Sequence, residues 1–182
     1  MGIHFRFSEE KALAALSFIA SERPGLSPFF LSKVLFYAEK EHINRYGRPI
    51  LGDNYIRMQD GPVPSRVKDY IDQNWDEVPK PENFDRIVKI RRGLWLRWLY
   101  AGAEKGDFSL LSETDMDCIR GAIEFCRGKS KDELSDLTHK EKAWLRATTN
   151  RSMDYEDFVD DDNPHKDEVV GMLKENAAYG VL

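Results

Sequence analysis

The most regular hydrophobic pattern in the chain lies between residues 28 and 46, where apolar side chains recur at helical spacing. Additional aromatic residues widen this stripe and leave only a narrow polar wedge, made of Lys33, Lys40, Glu41 and Asn44. Ser27 and Pro28 favour a helix start, whereas Gly47 and Pro49 favour its end. A helix that is apolar around most of its girth must be enclosed on several sides. We therefore predict that residues 28–46 form the central helix of the fold.

Capping residues that precede apolar residues at helical spacing predict further helices around it. The predicted starts lie at Ser8, Ser65, Ser112, Ser130 and the pair Asn163–Pro164. Asp115 and Glu133 follow two of these serines by three positions and complete capping boxes, which strengthens both predictions.

Two segments alternate in the manner of strands. Residues 55–59 form one predicted strand, and residues 84–100 form a hairpin with Arg92-Gly93 as its turn. The intervening Gly61-Pro62-Val63-Pro64 is predicted to be a rigid turn. Three strands packed on helices would persist as one sheet. The predicted fold class is therefore α+β, mainly α-helical, with helices around a central apolar helix and a small antiparallel β-sheet or hairpin.

Length and composition favour one globular domain. The 182 residues are enough for a proper core, and 41% hydrophobic with 32% charged residues excludes a disordered chain. We predict a single domain over residues 1–182, with residues 151–182 as a C-terminal extension. The net charge of −5 argues against a dedicated nucleic-acid binder. No apolar run at the N-terminus has the character of a signal peptide or membrane span, so we expect no membrane partner.

The two cysteines, Cys118 and Cys126, fall in one predicted helix. Their separation of eight positions corresponds to about 12 Å along the axis, which is too far for a disulfide. We expect both to be reduced core residues and the protein to be cytoplasmic.

Several short segments, in this order, resemble the Panacea domain family, also known by its SocA-like antitoxin members. They are KVLFYAEKEHINRYGRPI, the Gly52-Asp53 pair, GPVPS, LSETDMDCI and LSDLTHKEKAW. The resemblance covers residues 5–148. It implies an antitoxin that neutralises a cognate protein toxin by direct binding and has no catalytic residues or cofactor. Because some SocA-like members hand their toxin to a protease, the resemblance also leaves open a proteolytic adaptor with a protease as second partner.

Glu39 and His42 have the Glu-x-x-His spacing that allows two side chains on one helix face to reach a metal. A bundle-type metal site needs a second such pair, and the only partial companion is Asp136-x-x-His139. We therefore favour a half-buried histidine beside a surface carboxylate and expect no bound metal. The alternative that stays open is a small metal-dependent hydrolase that uses Glu39, His42 and His139.

The segment from Leu94 to Tyr100 is apolar or aromatic on both faces. The uncharged set Leu94, Leu96, Trp98 and Tyr100 is predicted to face the core. Trp95, Arg97 and Leu99 would then face outward. Tyr55 and Arg57 of the predicted strand 55–59 would face the same way. The predicted partner-binding residues are accordingly Tyr55, Arg57, Trp95, Arg97 and Leu99. The alternative is that both faces are buried and that Arg97 only reaches water with its head group.

Positive charge also accumulates on the predicted hairpin, at Lys89, Arg91, Arg92 and Arg97. Together with Trp95 for base stacking, these residues would suit a nucleic acid. We favour instead arginines that pair with carboxylates or contact a protein partner, and we expect no nucleic-acid partner.

Overall fold

The computed structural model describes residues 2–94 and 96–182 and shows a mainly α-helical α+β fold, as predicted. Its helices are α1 (Glu9–Glu22), α2 (Pro28–Tyr46), α3 (Ser65–Asp72), α4 (Phe84–Ile87), α5 (Glu113–Cys126), α6 (Lys131–Thr138), α7 (Lys142–Arg146) and α8 (Lys166–Tyr179). Its strands are β1 (Tyr55–Met58), β2 (Gly61–Pro64), β3 (Val88–Arg92) and β4 (Arg97–Ala101). Short 3-10 turns lie at Phe108–Leu110 and Tyr155–Phe158.

Helix α2 spans the predicted residues and is enclosed as predicted. Pro28 occupies its first turn, and Gly47 ends it in the left-handed conformation with φ of 64°. Ser27 holds the N-cap position, but its side chain makes no capping hydrogen bond. Two hydrophobic clusters meet on this helix. One joins it to α1, α5 and the β3–β4 hairpin, and the other packs Phe36 and Ile43 against residues beyond 151.

The segment beyond residue 151 thus belongs to the packing of the central helix. Phe158, Val169 and Leu173 are all buried in the second cluster. The extent of the domain at the two ends of the chain stays a prediction.

The prediction of one three-stranded sheet was wrong, because the described strands form two separate antiparallel pairs. Strand β1 pairs with β2, with Tyr55 opposite Pro64, and β3 pairs with β4, with Val88 opposite Ala101. The other edge of β1 is occupied by the segment 150–153, whose backbone exchanges hydrogen bonds with Tyr55 and Arg57. Both edges of β1 are therefore taken, and no edge remains for the hairpin.

The predicted facing of the hairpin was also wrong. Strand β4 begins only at Arg97, and ahead of it the Gly93 N–H donates to the Leu96 carbonyl. Leu94 is 90% exposed and Leu96 55% exposed, whereas Leu99 is fully buried. Leu99 is held inward because its N–H donates to Leu26 and its carbonyl accepts from Gly25, which places it on the core beside α1.

Residues 84–87 were predicted to begin the first hairpin strand, but they form the single turn α4. Phe84 still reaches the core from this turn, where it packs against Tyr70 and Trp75.

Cys118 and Cys126 are both buried on α5 and form no disulfide, as predicted. Within residues 2–94 and 96–182, no helix has both the length and the apolar character needed to cross a membrane.

We predict that Leu35→Asp destabilises the protein by about 3 kcal/mol or more, because it places an unpaired carboxylate at a position that is 2% exposed. Urea unfolding of the purified variant measures this loss. Leu145→Asp is the matched control, since Leu145 is 58% exposed and the change there should stay within about 0.5 kcal/mol. Equal stabilities of the two variants would contradict the central placement of α2.

Candidate functional site

Asp115 lies at the centre of a cluster of charged side chains between α1, α2 and α5. One of its oxygens lies 2.9 Å from Lys11 Nζ, and the other lies 3.1 Å from both His42 Nε2 and the Arg48 guanidinium. His42 Nδ1 also bonds the Arg48 carbonyl at 2.9 Å. Although burial opposes ionisation, the contacts from His42 and Lys11 hold the pKa of Asp115 well below its usual range. The carboxylate is thus a buried anion that joins three segments.

Two other buried carboxylates bind backbone N–H groups. The carboxylate of Glu39 accepts hydrogen bonds from Ile50 and Leu51, and that of Asp53 accepts from Arg66 and Val67 at 3.0 and 2.9 Å. Asp53 therefore caps the N-terminus of α3, whose own N-cap residue is a proline without a capping side chain. The Gly52-Asp53 pair and Glu39 act together to fix the chain between α2 and α3.

Burial dominates the ionisation of both carboxyl groups. It raises the pKa of Glu39 to about 7, and the two backbone N–H groups oppose the rise without cancelling it. It likewise raises the pKa of Asp53 to about 6. Both residues are at most 1% exposed, so their carboxyl groups are shielded from solvent.

The residues considered for metal binding are not brought together. Glu39 and His42 are engaged as described above, and the His139 ring stacks on Trp144 with centroids 4.1 Å apart. In the part of the chain that the structure describes, no group of three or more His, Cys, Asp or Glu residues is placed to hold a metal ion. The expectation of a half-buried histidine beside a surface carboxylate was wrong, because Glu39 and His42 are both at most 1% exposed. Both side chains hold other segments of the chain against α2.

Lys33 is a third buried charged residue of α2, and it secures the turn between β1 and β2. It is 1% exposed, and its ammonium donates to the Asp60 carbonyl. Gly61 has φ of 107°, and a Cβ atom there would collide with Lys33 Nζ and with Thr138 Oγ1, so only glycine fits. Desolvation by burial lowers the pKa of Lys33 to about 7.

Arg57, predicted to bind a partner, is half-buried and folded against its own protein. Its guanidinium lies 3.9 Å from the Trp144 ring centroid and donates to the Ala147 carbonyl at 2.6 Å. The other predicted residue of this strand, Tyr55, is only 1% exposed and packs against Phe36 and Phe158. The expected extension of the partner surface onto β1 was therefore wrong for Tyr55, because the segment 150–153 and the C-terminal cluster cover that strand.

On the hairpin, Arg97 is partly exposed and pairs with Asp72 at 3.2 Å, while Leu99 is buried as described above. Trp95 lies outside the described residues. Of the predicted partner-binding set, Arg97 and Arg57 thus keep side-chain surface in contact with solvent, and they lie in two different sheets.

A groove beside the hairpin is a candidate for a partner site. It has a volume of about 510 Å³, and we call it the hairpin groove. Its lining includes Leu96 and Trp98 from the hairpin, Phe29 and Phe30 from α2, and the charged residues Arg23, Asp60 and Lys131. Its walls are apolar and aromatic, and the exposed Leu94 and Leu96 stand at the tip of the hairpin.

Sequence reasoning missed this groove for two reasons. Phe29 and Phe30 read as part of the apolar girth of α2, although both are only half-buried. Leu94 and Leu96 were predicted to be inward strand residues. In the structure the Gly93 N–H donates to the Leu96 carbonyl, and both leucines are exposed. The Arg92-Gly93 turn signal was the available indication that the apolar residues after it could stand at a hairpin tip.

The model of one protein family, described as Antitoxin SocA-like, Panacea domain, matches residues 31–145, which is more than half of the chain. The matched segment contains α2 from Leu31 onward, both sheets and the buried residues Lys33, Glu39, His42, Asp53 and Asp115. No curated protein and no solved structure matches the chain.

We predict that Asp115→Asn costs about 3–5 kcal/mol of stability, because it leaves Lys11 and Arg48 without their buried counter-charge. Asp117→Asn on the same helix is the matched control. The Asp117 side chain is 75% exposed and forms a surface ion pair with Arg120, so its loss should cost less than about 1 kcal/mol. Urea unfolding of both variants checks the difference, and equal losses would show that Asp115 is no more important than a surface carboxylate.

We predict that Lys33 makes the free energy of unfolding of the wild type rise with pH between about 7 and 10.5. The lower limit is the pKa of Lys33 in the folded protein, and the upper limit is its ordinary pKa. In that window the unfolded chain holds a proton on Lys33 that the folded protein has lost, so unfolding becomes less favourable as pH rises. The stability difference between wild type and Lys33→Met should therefore grow in favour of wild type across this range.

Unfolding in urea at several pH values measures that difference. Lys131→Met is the control, because it removes an exposed positive charge beside the same turn without altering a buried position. A difference between wild type and Lys33→Met that does not change with pH would contradict the prediction.

Proposed function

We propose that this chain, which belongs to the SocA-like antitoxin, Panacea domain family, neutralises a cognate protein toxin by binding it directly in the cytoplasm. The family supports an antitoxin role. We assign the direct contact to the hairpin groove and the hairpin tip.

The observation that carries this proposal is the exposure of Leu94 and Leu96 beside an aromatic groove. Both leucines are exposed at the tip of the hairpin. Leu99 of the same hairpin is buried in the core and exchanges backbone hydrogen bonds with Gly25 and Leu26. Apolar side chains that project next to a pocket are typical anchors of protein interfaces. The partly exposed Arg97, fixed by Asp72, lies on the same strand and adds a residue type that is frequent at interface hot spots.

The way the buried polar residues are used also favours a binding role. Glu39, His42 and Asp115 point their polar atoms at backbone groups or at one another, and none of them opens into the hairpin groove. A binder does not turn over, so neutralisation should need antitoxin and toxin in a fixed ratio.

We predict that the double variant Leu94→Ser, Leu96→Ser loses toxin binding by about 2 kcal/mol or more. Its melting temperature should stay within about 2 °C of wild type, because both side chains are exposed. The toxin for this experiment is the product of the neighbouring gene, once it has been shown to arrest growth on its own. Binding is measured by calorimetry with purified proteins.

Leu145→Ser is the matched control, since Leu145 is 58% exposed but lies on α7 and does not line the hairpin groove. Full binding by the double variant, or a larger loss for Leu145→Ser, would show that the contact lies elsewhere. In the same titration, activity of the toxin should disappear at a fixed molar ratio. Complete neutralisation by strongly substoichiometric wild type, with no protease present, would refute direct binding as the mechanism.

A further inference from the structure

We infer that the outer face of the β3–β4 hairpin receives a carboxylate-rich segment of the toxin. This inference rests on the proposed function and adds the chemistry of the partner. The outer hairpin face consists of Lys89 and Arg91 on β3 and of Trp98 and Tyr100 on β4.

The register of the hairpin places these four side chains together. Lys89 lies opposite Tyr100, and Arg91 lies opposite Trp98, so each cation stands across from an aromatic ring on the same face. The Arg91 guanidinium lies 4.4 Å from the Tyr100 ring centroid. Because Trp98 also lines the hairpin groove, the outer hairpin face and the groove form one continuous surface.

The charges of the hairpin are strongly one-sided. Residues 86–101 contain five basic residues and no acidic residue, in a chain whose net charge is −5. Arg86 pairs with Glu104 and Arg97 pairs with Asp72, so these two are compensated within the protein. Among the described residues, no carboxylate forms an ion pair with Lys89 or Arg91, and both side chains are exposed. These two cations are therefore available to an incoming anion.

An acidic protein segment fits this face better than a nucleic acid. The Tyr100 ring is already covered by Arg91, so it does not present an open platform for a base. The exposed leucines at the tip match the apolar residues of a protein surface.

The test compares two double variants. The first, Lys89→Glu, Arg91→Glu, is the hairpin reversal, and the second, Lys140→Glu, Arg151→Glu, is the control reversal. Both double variants replace one exposed lysine and one exposed arginine by glutamate, and the second pair lies away from the hairpin. The probes are poly-L-glutamate and a 20-nucleotide oligothymidylate, followed by the purified toxin. Binding is measured at low and at physiological salt.

We expect poly-L-glutamate to bind wild type more tightly than the oligonucleotide and to compete with the toxin. The hairpin reversal should weaken binding of poly-L-glutamate and of toxin by about tenfold or more and should flatten the salt dependence, whereas the control reversal should change neither by more than about threefold. Tighter binding of the oligonucleotide, or poly-L-glutamate binding that survives the hairpin reversal, would overturn the inference.

The toxin result separates this inference from the proposed function. Toxin bound equally well by wild type and by the hairpin reversal would overturn the acidic contact and leave direct neutralisation intact. Toxin that fails to bind wild type would overturn direct neutralisation, and with it the assignment of the acidic segment to a toxin.

Discussion

The need to satisfy polar groups along one buried helix organises this protein. Helix α2 is enclosed along most of its length, yet it carries Lys33, Glu39 and His42 at positions that are at most 1% exposed. A buried polar group without a partner is costly, so each of these side chains must draw a particular segment of the chain against the helix. Lys33 holds the turn at Asp60, Glu39 holds the backbone at 50–51, and His42 meets Arg48 and Asp115.

These contacts explain why the region after α2 has a defined course although it contains little regular structure. Glu39 fixes the loop that follows the helix, and Asp53 at the end of that loop then caps α3. Strand β1 leaves the same loop and is paired on both edges, by β2 and by the segment 150–153. The β3–β4 hairpin is a separate sheet, and Leu94 and Leu96 are exposed near its turn.

The same contacts give a structural role to residues that the sequence alone would suggest for catalysis or metal binding. A Glu-x-x-His pair on an apolar helix has the spacing of a metal site, and a lone histidine near a tryptophan resembles part of a hydrolytic site. In the folded protein Glu39 accepts backbone N–H groups, His42 joins an ion cluster, and His139 stacks on Trp144. Local spacing places side chains on one helix face, but only the segments packed against that face decide what those side chains bind.

The sequence by itself determined the features that depend on neighbouring residues. The bounds of α2, the left-handed Gly47, and the capping boxes of Ser112 and Ser130 all follow from interactions within a few positions. Tertiary structure decided the partner of β1 and the inward position of Leu99. These depend on hydrogen bonds to residues far away in the chain, such as Leu26 for Leu99 and Met153 for Tyr55. A strand with apolar residues on both faces has no intrinsic inner side, so the long-range contact that forms on it selects which face is buried.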